Sequence, residues 1–341
     1  MCTWRNSSSE LDTFAPSILH PLAVFEFFIH FLGAYVILFK TPATMGTVKR
    51  SMLTLHLFGA FLDLFLSALS TQYLFVPVAA GYCTGFFSYI GISGRGQEYI
   101  FFTTICLTGC ALLGFFENRF TAIVNGNGAS FFADKKRLLY MACHCLFAVT
   151  FILPVIFTPP DQDFGKEYFK QTLPCVPVTI LDHPDFYVFA IDVTLLAVLI
   201  AIPITAFPSQ CVFFAVRIAK FLYGTKAKSK RTHKLQKQFF IALCIQVSIP
   251  MTFLTVPVVY NVYALSNGYF NQAMNNITIN IISLHGLFTS IVMMIAHKPY
   301  RQAVIDMFCG PCSRVKVLKS NNHSVVGPVD ATFVIVSEYN N

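Results

Sequence analysis

The chain has 341 residues, of which 55% are hydrophobic and only 12% are charged, and its mean hydropathy is +0.62. Soluble domains carry about 25% charged residues, so a chain this long and this apolar must place much of itself in lipid. The net charge of +8 would allow nucleic-acid binding. The basic residues, however, lie in short segments between apolar runs rather than on one domain face, which excludes that partner.

Seven apolar runs follow one another along the chain, each near the roughly 20 residues that a helix needs to cross a bilayer core. Backbone groups in lipid must pair within their own segment, and these runs are too long and too uniformly apolar for barrel strands. The sequence therefore predicts an all-α integral membrane protein built as a seven-transmembrane helix bundle. The predicted spans are residues 18–39, 51–76, 98–118, 138–158, 186–216, 237–263 and 275–297.

The segments outside these spans are predicted from composition. The polar start, with Glu10 and Asp12, lacks the basic region of a cleavable signal peptide, so the first span is expected to direct insertion. Residues 77–97 are apolar but broken by Gly and Pro, which predicts an ordered outer loop at the interface. The predicted organisation is an N-terminal segment 1–17, a seven-transmembrane domain 18–297, a juxtamembrane helix 298–312 and a flexible tail 313–341, and the charge distribution below places the first segment outside the cell and the tail in the cytoplasm.

The distribution of Lys and Arg predicts the orientation. Of the 24 basic residues, 20 lie in the segments that would share one side of the membrane and four lie on the other. Because cytoplasmic segments carry the excess of Lys and Arg, the N-terminus is predicted outside and the C-terminus in the cytoplasm. The sequon Asn6-Ser7-Ser8 then predicts glycosylation at Asn6.

The cysteines outside the spans divide by compartment. Cys83 and Cys175 are predicted to face outside, where disulfides persist, and a bridge between them would join the first two outer loops. Cys2 is the only competing outer partner. On the other side, Cys309 and Cys312 have the CxxC spacing of a redox site but not its βαβ setting. They lie about ten residues past the last span, which favours palmitoylation of one or both over a redox site, with unmodified thiols as the alternative.

Seven spans with this polarity favour a G-protein-coupled receptor. Channels and transporters usually show ionisable residues along a pathway, or broken helices in two matching halves. Here Glu26, Asp63 and Asp192 are the acids clearly within predicted spans, and no internal repeat is visible. No metalloprotease motif, phosphate-binding loop or nucleophile elbow is present either, so no enzymatic activity, cofactor or metal is expected.

Two motifs at the cytoplasmic ends of spans are candidates for coupling to the G protein. Glu117, Asn118 and Arg119 end the third span, where an acid and an arginine resemble the switch of seven-helix receptors. Residues two apart do not share a helix face, so Glu117 and Arg119 are expected to contact different partners. An ordinary charged helix end is the alternative. The second motif, Pro299-Tyr300-Arg301, suits either a hinge beside the coupling site or a generic exit from the membrane.

A small extracellular ligand is expected to bind among the outer halves of the third, fifth, sixth and seventh spans. Such a pocket should be largely apolar with a few polar groups, which favours volatile or hydrophobic ligands. The predicted lining residues are Phe102, Thr103, Cys106, Phe189, Asp192, Tyr260, Asn261 and Ser283. Asp192 could pair with a cationic ligand, or it could be a hydrogen-bonded structural residue.

Several short motifs together resemble the nematode serpentine chemoreceptors of class H, in the Str group, over about residues 18–305. The motifs are Leu19-His20-Pro21, Pro77 with Ala80-Gly81-Tyr82, Phe116-Glu117-Asn118-Arg119 and His297-Lys298-Pro299-Tyr300-Arg301. The resemblance implies a chemosensory receptor that couples to a heterotrimeric G protein in the plasma membrane of sensory cilia. The chain lacks the NPxxY motif of rhodopsin-like receptors, so the detailed switches of those receptors are not carried over.

Two other classes of function stay open at this point. A seven-span ligand-gated channel or transporter is one, although insect odorant receptors of that kind place the N-terminus inside, against the charge distribution seen here. A receptor-like partner without signalling of its own is the other. A ligand-induced current without a G protein would favour the channel, whereas intact surface expression without a response would favour the partner.

Overall fold

Seven helices long and apolar enough to cross a membrane form a bundle in the computed structural model, which describes residues 2–42, 45–124, 135–224 and 230–310. In chain order the helices are α1 (Phe14–Lys40), α2 (Gly46–Leu64), α3 (Phe86–Tyr89), α4 (Gly94–Val124), α5 (Lys135–Thr150), α6 (Leu153–Phe157), α7 (Gln162–Thr172), α8 (Val193–Gly224), α9 (Lys230–Asn267), α10 (Gln272–Ser283), α11 (His285–Ala296) and α12 (Lys298–Cys309). The spans are α1, α2 with a π-helical turn at Phe65–Leu69, α4, α5 with α6, α8, α9, and α10 with α11. The predicted seven-helix bundle is confirmed.

The helix α4 lies at the centre of the bundle. It packs against α2, α5 and α8, while α9 packs against α8 and α11, and α1 closes the bundle against α2 and α11. Phe25, Phe28 and Phe31 on α1 are each about two-thirds exposed, an apolar surface that suits contact with lipid. We call the side that carries the N-terminus the outer side, following the predicted orientation, and the opposite side the inner side.

A small antiparallel sheet lies on the outer side, where the sequence predicts only helices and a loop. Its strands, in spatial order, are β1 (Thr71–Phe75), β2 (Ala80–Thr84) and β3 (Tyr187–Val188). The second span was therefore predicted too long, because its helical part ends at Leu69 and not at residue 76. An apolar run that supplies a buried strand cannot be told from a helix by hydropathy alone. The expected outer loop 77–97 is ordered and contains β2 and α3.

The fifth span also begins later than predicted, at Val193 rather than at residue 186. The preceding residues are used by β3, which pairs with β2. Asp192 then caps the helix, since its Oδ1 accepts hydrogen bonds from the backbone N–H of Thr194 at 3.1 Å and of Leu195 at 3.0 Å. A carboxylate at this position satisfies amides that the first turn leaves unpaired. Asp192 is thus an exposed capping residue and does not lie two turns inside the helix, as predicted.

The segments on the outer side share an aromatic core above the bundle. Phe75 of β1 contacts the rings of Phe169, Phe186 and Phe270, with centroid separations of 5.3 to 6.5 Å. The N-terminal segment joins them, because the hydroxyl of Tyr73 donates to the backbone carbonyl of Glu10 at 2.6 Å. The sheet, α7 and the N-terminal segment therefore form one cover over the helices.

A disulfide ties this cover together, but not the one predicted. Cys175 is bonded to Cys2, the competing partner, and the predicted Cys83–Cys175 bridge is wrong. Cys83 is a buried free thiol in β2, only 2% exposed, beside the side chains of Ser70 and Tyr187. Because Cys83 belongs to the sheet, its thiol lies within the packed cover while Cys175 lies next to the N-terminal segment.

The chain leaves the bundle on the inner side through α12, where the sequence predicts a juxtamembrane helix. Tyr300 is fully buried, and its hydroxyl lies 2.9 Å from the Thr41 hydroxyl and 3.2 Å from the Met52 sulfur. These contacts join α12 to the inner ends of α1 and α2. Cys309, at the end of α12, is exposed, and Cys312 lies outside the described residues.

Candidate functional site

A cavity of about 140 Å³ lies between the sheet and the outer halves of α4, α8, α9 and α10. Leu74 and Ala80 line it from the sheet, Val76 lines it from the turn after β1, and Phe207 and Pro250 line it from α8 and α9. An apolar cavity of about this size holds a molecule such as benzene, so the site suits small ligands.

Aromatic side chains form much of its wall. Phe102 of α4 and Phe189, just after β3, stack with ring centroids 5.9 Å apart. Gly109 leaves room for the ring of Phe207, because a Cβ at position 109 would lie only 3.0 Å from that ring. Offset aromatic surfaces of this kind give a ligand large apolar contact in a fixed geometry.

A few polar groups face the cavity, and Glu98 is foremost among them. Glu98 is 2% exposed, and its Oε1 accepts no hydrogen bond from the described residues. Oδ1 of Asn261 on α9 is buried and lacks a partner among the described residues in the same way. Tyr187 also lines the wall, and burial, followed by its neighbours Glu98 and Cys83, raises the pKa of its phenol well above the ordinary value.

The structure places half of the predicted ligand residues in this cavity. Those that line it are Phe102, Cys106, Phe189 and Asn261, and those that do not are Thr103, Asp192, Tyr260 and Ser283. Tyr260 instead donates to Oδ1 of Asn275 at 3.3 Å, and Ser283 is buried at the end of α10. Rotation around the helix axis decides which neighbouring residues reach a cavity, and apolar runs without clear periodicity do not define that rotation.

Glu98 and the residues of the sheet were missed by the sequence analysis. Glu98 stands at the boundary predicted for the third span, where a charged residue suggests a helix end in water. The structure extends α4 back to Gly94 and covers its outer end with β3, so Glu98 is enclosed. The sequence feature that could have pointed to Glu98 is its position as a lone acid beside a Gly-rich turn and an apolar outer segment.

A polar cluster lies in the bundle around Asp63 of α2, which is fully buried. Its carboxylate lies 2.8 Å from Nδ1 of His285 and 3.3 Å from Nε2 of His30. It also accepts the backbone N–H groups of Gly286 at 3.0 Å and Leu287 at 2.5 Å. An intramembrane acid is expensive unless it is satisfied in this way.

The seventh span is broken at this cluster. The helix α10 ends at Ser283 and α11 begins at His285, so the first free amides of α11 point at the carboxylate of Asp63. Unpaired amides and the helix dipole both favour an anion at a helix N-terminus. Gly286 is required there, since a Cβ at this position would lie 2.7 Å from Oδ2 of Asp63 and from the carbonyl oxygen of Gly59.

At the inner end of α4, Glu117 is held by Arg137 of α5. Nε of Arg137 lies 2.7 Å from Oε1 and its NH2 group lies 2.8 Å from Oε2, a two-pronged ion pair between largely buried side chains. The hydroxyl of Thr121 donates to Oε1 at 2.9 Å. Asn118 donates to the Ser51 hydroxyl at 3.3 Å. These contacts fix α4 to α5 and α2 on the inner side.

Arg119 points elsewhere, as the spacing of the motif predicts. Its guanidinium lies over the ring of Phe239 on α9, 4.1 Å from the centroid. The buried ring of His297 packs on the same phenylalanine at 5.1 Å and donates through Nε2 to Oε1 of Gln246 at 3.0 Å. Burial, with the charge of Arg119 as the smaller cause, lowers the pKa of His297 from 6.5 to about 4. Arg119 and His297 thus join α4 and the end of α11 to α9.

A family profile described as "Serpentine type 7TM GPCR chemoreceptor Srh" matches residues 10–310, which include all seven spans, the sheet and all of α12. The chain belongs to the Srh family. A similar protein is serpentine receptor class H-72 of Caenorhabditis elegans, with 25% identity over 312 residues that cover 89% of this chain and 85% of that protein. The predicted resemblance to nematode class H chemoreceptors is confirmed, and the protein is a multi-pass membrane protein of a receptor family.

The motifs that carry the family resemblance occupy both sides of this Srh receptor. Leu19 is buried near the outer side, whereas Pro299 and Tyr300 lie in the first turn of α12 on the inner side. Arg301 is exposed there and donates to the carbonyl of Ile295 at 3.0 Å. Tyr300 is therefore a packing residue, and Arg301 is the member of its motif that a partner could contact.

Proposed function

We propose that this Srh chain is a chemosensory receptor of the plasma membrane that binds a small, largely apolar extracellular ligand and activates a heterotrimeric G protein. The observation that supports the ligand is the apolar cavity under the outer cover. Its volume of about 140 Å³ suits a compact odorant rather than a drug-sized molecule. Family membership supports the chemosensory role, and placement on sensory cilia is part of the same proposal.

The helix α9 connects the cavity with the inner side and is the element we propose to move. It lines the cavity with Pro250, Met251 and Asn261, and it holds the ring of Phe239 under Arg119. Proline inside a helix removes a backbone hydrogen bond, so Pro250 weakens α9 just where it passes the cavity. A ligand that displaces this segment would separate Phe239 from Arg119 and free the arginine for a Gα subunit.

The predicted orientation and modifications form part of the same proposal. Asn6 is exposed on the outer side and suits glycosylation, and Cys309 is exposed at the end of α12 and suits palmitoylation. A glycosidase-sensitive mobility shift that Asn6→Gln removes supports an extracellular N-terminus. Chemical labelling of the N-terminus only in permeabilised cells would contradict that orientation.

The test of signalling uses cells that express the full chain and a pooled library of small odorants, with cyclic AMP and calcium as readouts. The variants are Cys106→Phe, which fills the cavity, and Arg119→Ala, which removes the proposed coupling residue. Cys143→Phe is the matched control, since the same substitution there lies on an exposed face of α5. Surface labelling checks that all four proteins are expressed equally.

We expect wild type and Cys143→Phe to respond alike, and Cys106→Phe and Arg119→Ala to lose at least nine-tenths of the response. Inhibition of G proteins should abolish the signal as well. A response that survives Arg119→Ala and G-protein inhibition would contradict the coupling and favour an ion channel. A response that survives Cys106→Phe would place the ligand outside the cavity.

A further inference from the structure

The strongest unsatisfied group at the cavity is the carboxyl of Glu98. Its side chain lines the cavity and is 2% exposed, yet Oε1 has no hydrogen-bond partner in the described part of the chain. The ion pairs among the described residues involve Asp63 and Glu117, and none includes Glu98. A buried acid normally has partners, so this oxygen is the group for which a ligand contact is missing.

The neighbours of Glu98 within the cover do not satisfy its Oε1. The hydroxyl of Tyr187 donates to the carbonyl oxygen of Gly94 at 3.2 Å. A Cβ at Gly94 would lie 2.2 Å from the Tyr187 ring, so the glycine lets this ring pack across the first turn of α4. The amide of Gln97 donates to Ile92 at 2.7 Å and to Ser88 at 3.1 Å. The amide of Gln97 is therefore used within the cover, and the Tyr187 hydroxyl is a hydrogen-bonding neighbour of the Glu98 carboxyl that leaves Oε1 without a partner in the described part of the chain.

The chemistry of the open positions defines the complementary ligand. The buried atoms of the lining without a partner among the described residues are Glu98 Oε1 and Asn261 Oδ1, and both are acceptors. A carboxylate enclosed by apolar walls is costly unless a cation and hydrogen-bond donors accompany it. A protonated amine supplies the positive charge and up to three donors, whereas an alcohol supplies one donor and no charge.

We propose that the ligand of this receptor is a small amine with an apolar body, whose ammonium group is bound by Glu98. Asn261, on α9, offers a further acceptor in the same cavity, and the aromatic walls take the apolar body. This inference rests on the cavity being the ligand site of the proposed receptor, and it specifies the class of ligand. It also gives α9 a direct polar contact with the ligand.

The test measures binding to the purified full chain in lipid nanodiscs, without any G protein. The probes are benzylamine, benzyl alcohol and benzaldehyde, which share one apolar body of suitable size and differ in charge and in donors. The variants are Glu98→Gln, which keeps the shape and removes the charge, and Asn261→Leu. Asp192→Asn is the matched control, because it neutralises an exposed acid that does not line the cavity.

We expect wild type and Asp192→Asn to bind benzylamine at least tenfold more tightly than benzaldehyde. Glu98→Gln should lose this preference while it binds benzaldehyde as well as wild type does, and Asn261→Leu should reduce it several-fold. Unfolding temperatures without probe check that the variants are folded, and Asn261→Leu provides a second measurement if Glu98→Gln is not.

Equal benzylamine binding by wild type and Glu98→Gln would overturn the proposal, as would wild type that binds none of the probes or prefers the aldehyde or the alcohol. A receptor that binds amines through Glu98 but never activates a G protein would keep this inference and overturn the proposed signalling. Odorant signalling that Glu98→Gln leaves unchanged would keep the proposed signalling and overturn the inference that Glu98 binds the ligand.

Discussion

The two ends of α4 each bury a glutamate, and the fold treats these two residues differently. Glu98 lies near the outer end and Glu117 near the inner end, 19 residues or about 28 Å apart along the helix. Glu117 accepts hydrogen bonds from Nε and the NH2 group of Arg137 and from the hydroxyl of Thr121. Glu98 has an oxygen that faces the cavity and has no partner among the described residues.

The difference shows how burial alone fails to distinguish a structural acid from a binding acid. Both residues are nearly inaccessible to solvent, at 2% and 6% exposure, so accessibility would rank them together. What separates them is the count of partners that the protein supplies. An acid that is satisfied within the protein holds helices together, whereas an acid left open beside a cavity is available to a ligand.

The largest effect should come from breaking the inner ion pair. Glu117→Gln removes the carboxylate that Arg137 binds at two points, and breaking one side of a largely buried ion pair should lower the free energy of unfolding by about 3–5 kcal/mol. Thermal unfolding in nanodiscs measures this loss of stability, with Glu98→Gln as the matched control on the same helix. We expect the control to keep wild-type stability, and the pair Glu117→Gln with Arg137→Gln to recover part of the loss. Equal losses in the two single variants would remove the distinction between the two ends.

A somewhat smaller loss is expected at the outer end from the disulfide. Cys2→Ser and Cys175→Ser should each destabilise the protein by about 2–4 kcal/mol, because each opens the same bridge across a long loop. Cys83→Ser provides the comparison, since Cys83 is a free thiol in the sheet. Only the first two variants should add a maleimide-reactive thiol, under non-reducing conditions, to the exposed free cysteines such as Cys309 that wild type already has. A new reactive thiol in Cys83→Ser would instead support the predicted Cys83–Cys175 bridge.

Acid should weaken the inner end through His297. Its pKa is lowered from 6.5 to about 4 in the folded protein, chiefly by burial, so the folded state binds this proton less readily than the unfolded state. The contribution of the neutral histidine is therefore present at pH 7 and declines as the pH falls from about 6.5 to 4. Between pH 7 and pH 5 the loss should be about 2 kcal/mol. Unfolding of wild type and His297→Gln at both pH values measures the difference, which an identical pH dependence of the two proteins would refute.

The smallest effect in energy should come from the contact between Arg119 and Phe239. Phe239→Leu removes a cation–π interaction worth about 0.5–2 kcal/mol, and it should raise signalling without ligand by about two- to thirtyfold if that contact holds α9 closed. Phe213→Leu is the control, since its ring is exposed and lies 5.9 Å from the guanidinium of Arg217 on the same helix. Basal cyclic AMP in cells with matched surface expression measures the change. Unaltered basal signalling in Phe239→Leu would argue against α9 as the moving element.

The sequence located the membrane spans well because hydropathy is a local sum. A run of apolar residues predicts a span whatever its neighbours do, as with α1, where predicted residues 18–39 lie within Phe14–Lys40. Prediction from hydropathy failed where the local composition is compatible with both a helix and a strand. Residues 71–75 lie in a run that is apolar enough for a helix but form β1, because residues 80–84 are placed to pair with them.

Predictions for the candidate site divided in the same manner. Helix spacing predicted that Glu117 and Arg119 contact different partners. In the structure Glu117 binds Arg137, whereas Arg119 lies over the ring of Phe239. Half of the predicted ligand residues line the cavity and half do not, because the choice between positions such as Phe102 and Thr103 depends on how α4 is rotated towards α8 and α9. No property of a single helix with weak amphipathicity decides that rotation.

The sequence by itself determined the solvent, the number of spans and the family of this protein, since composition, hydropathy and short motifs are properties of the chain. Only the tertiary structure decided which cysteine pairs with Cys175, where the cavity lies and which acids remain open to it. Those features depend on which residues from distant segments are brought together. Glu98 becomes a candidate for ligand binding because β3 covers the outer end of α4 and leaves its carboxyl facing an apolar space.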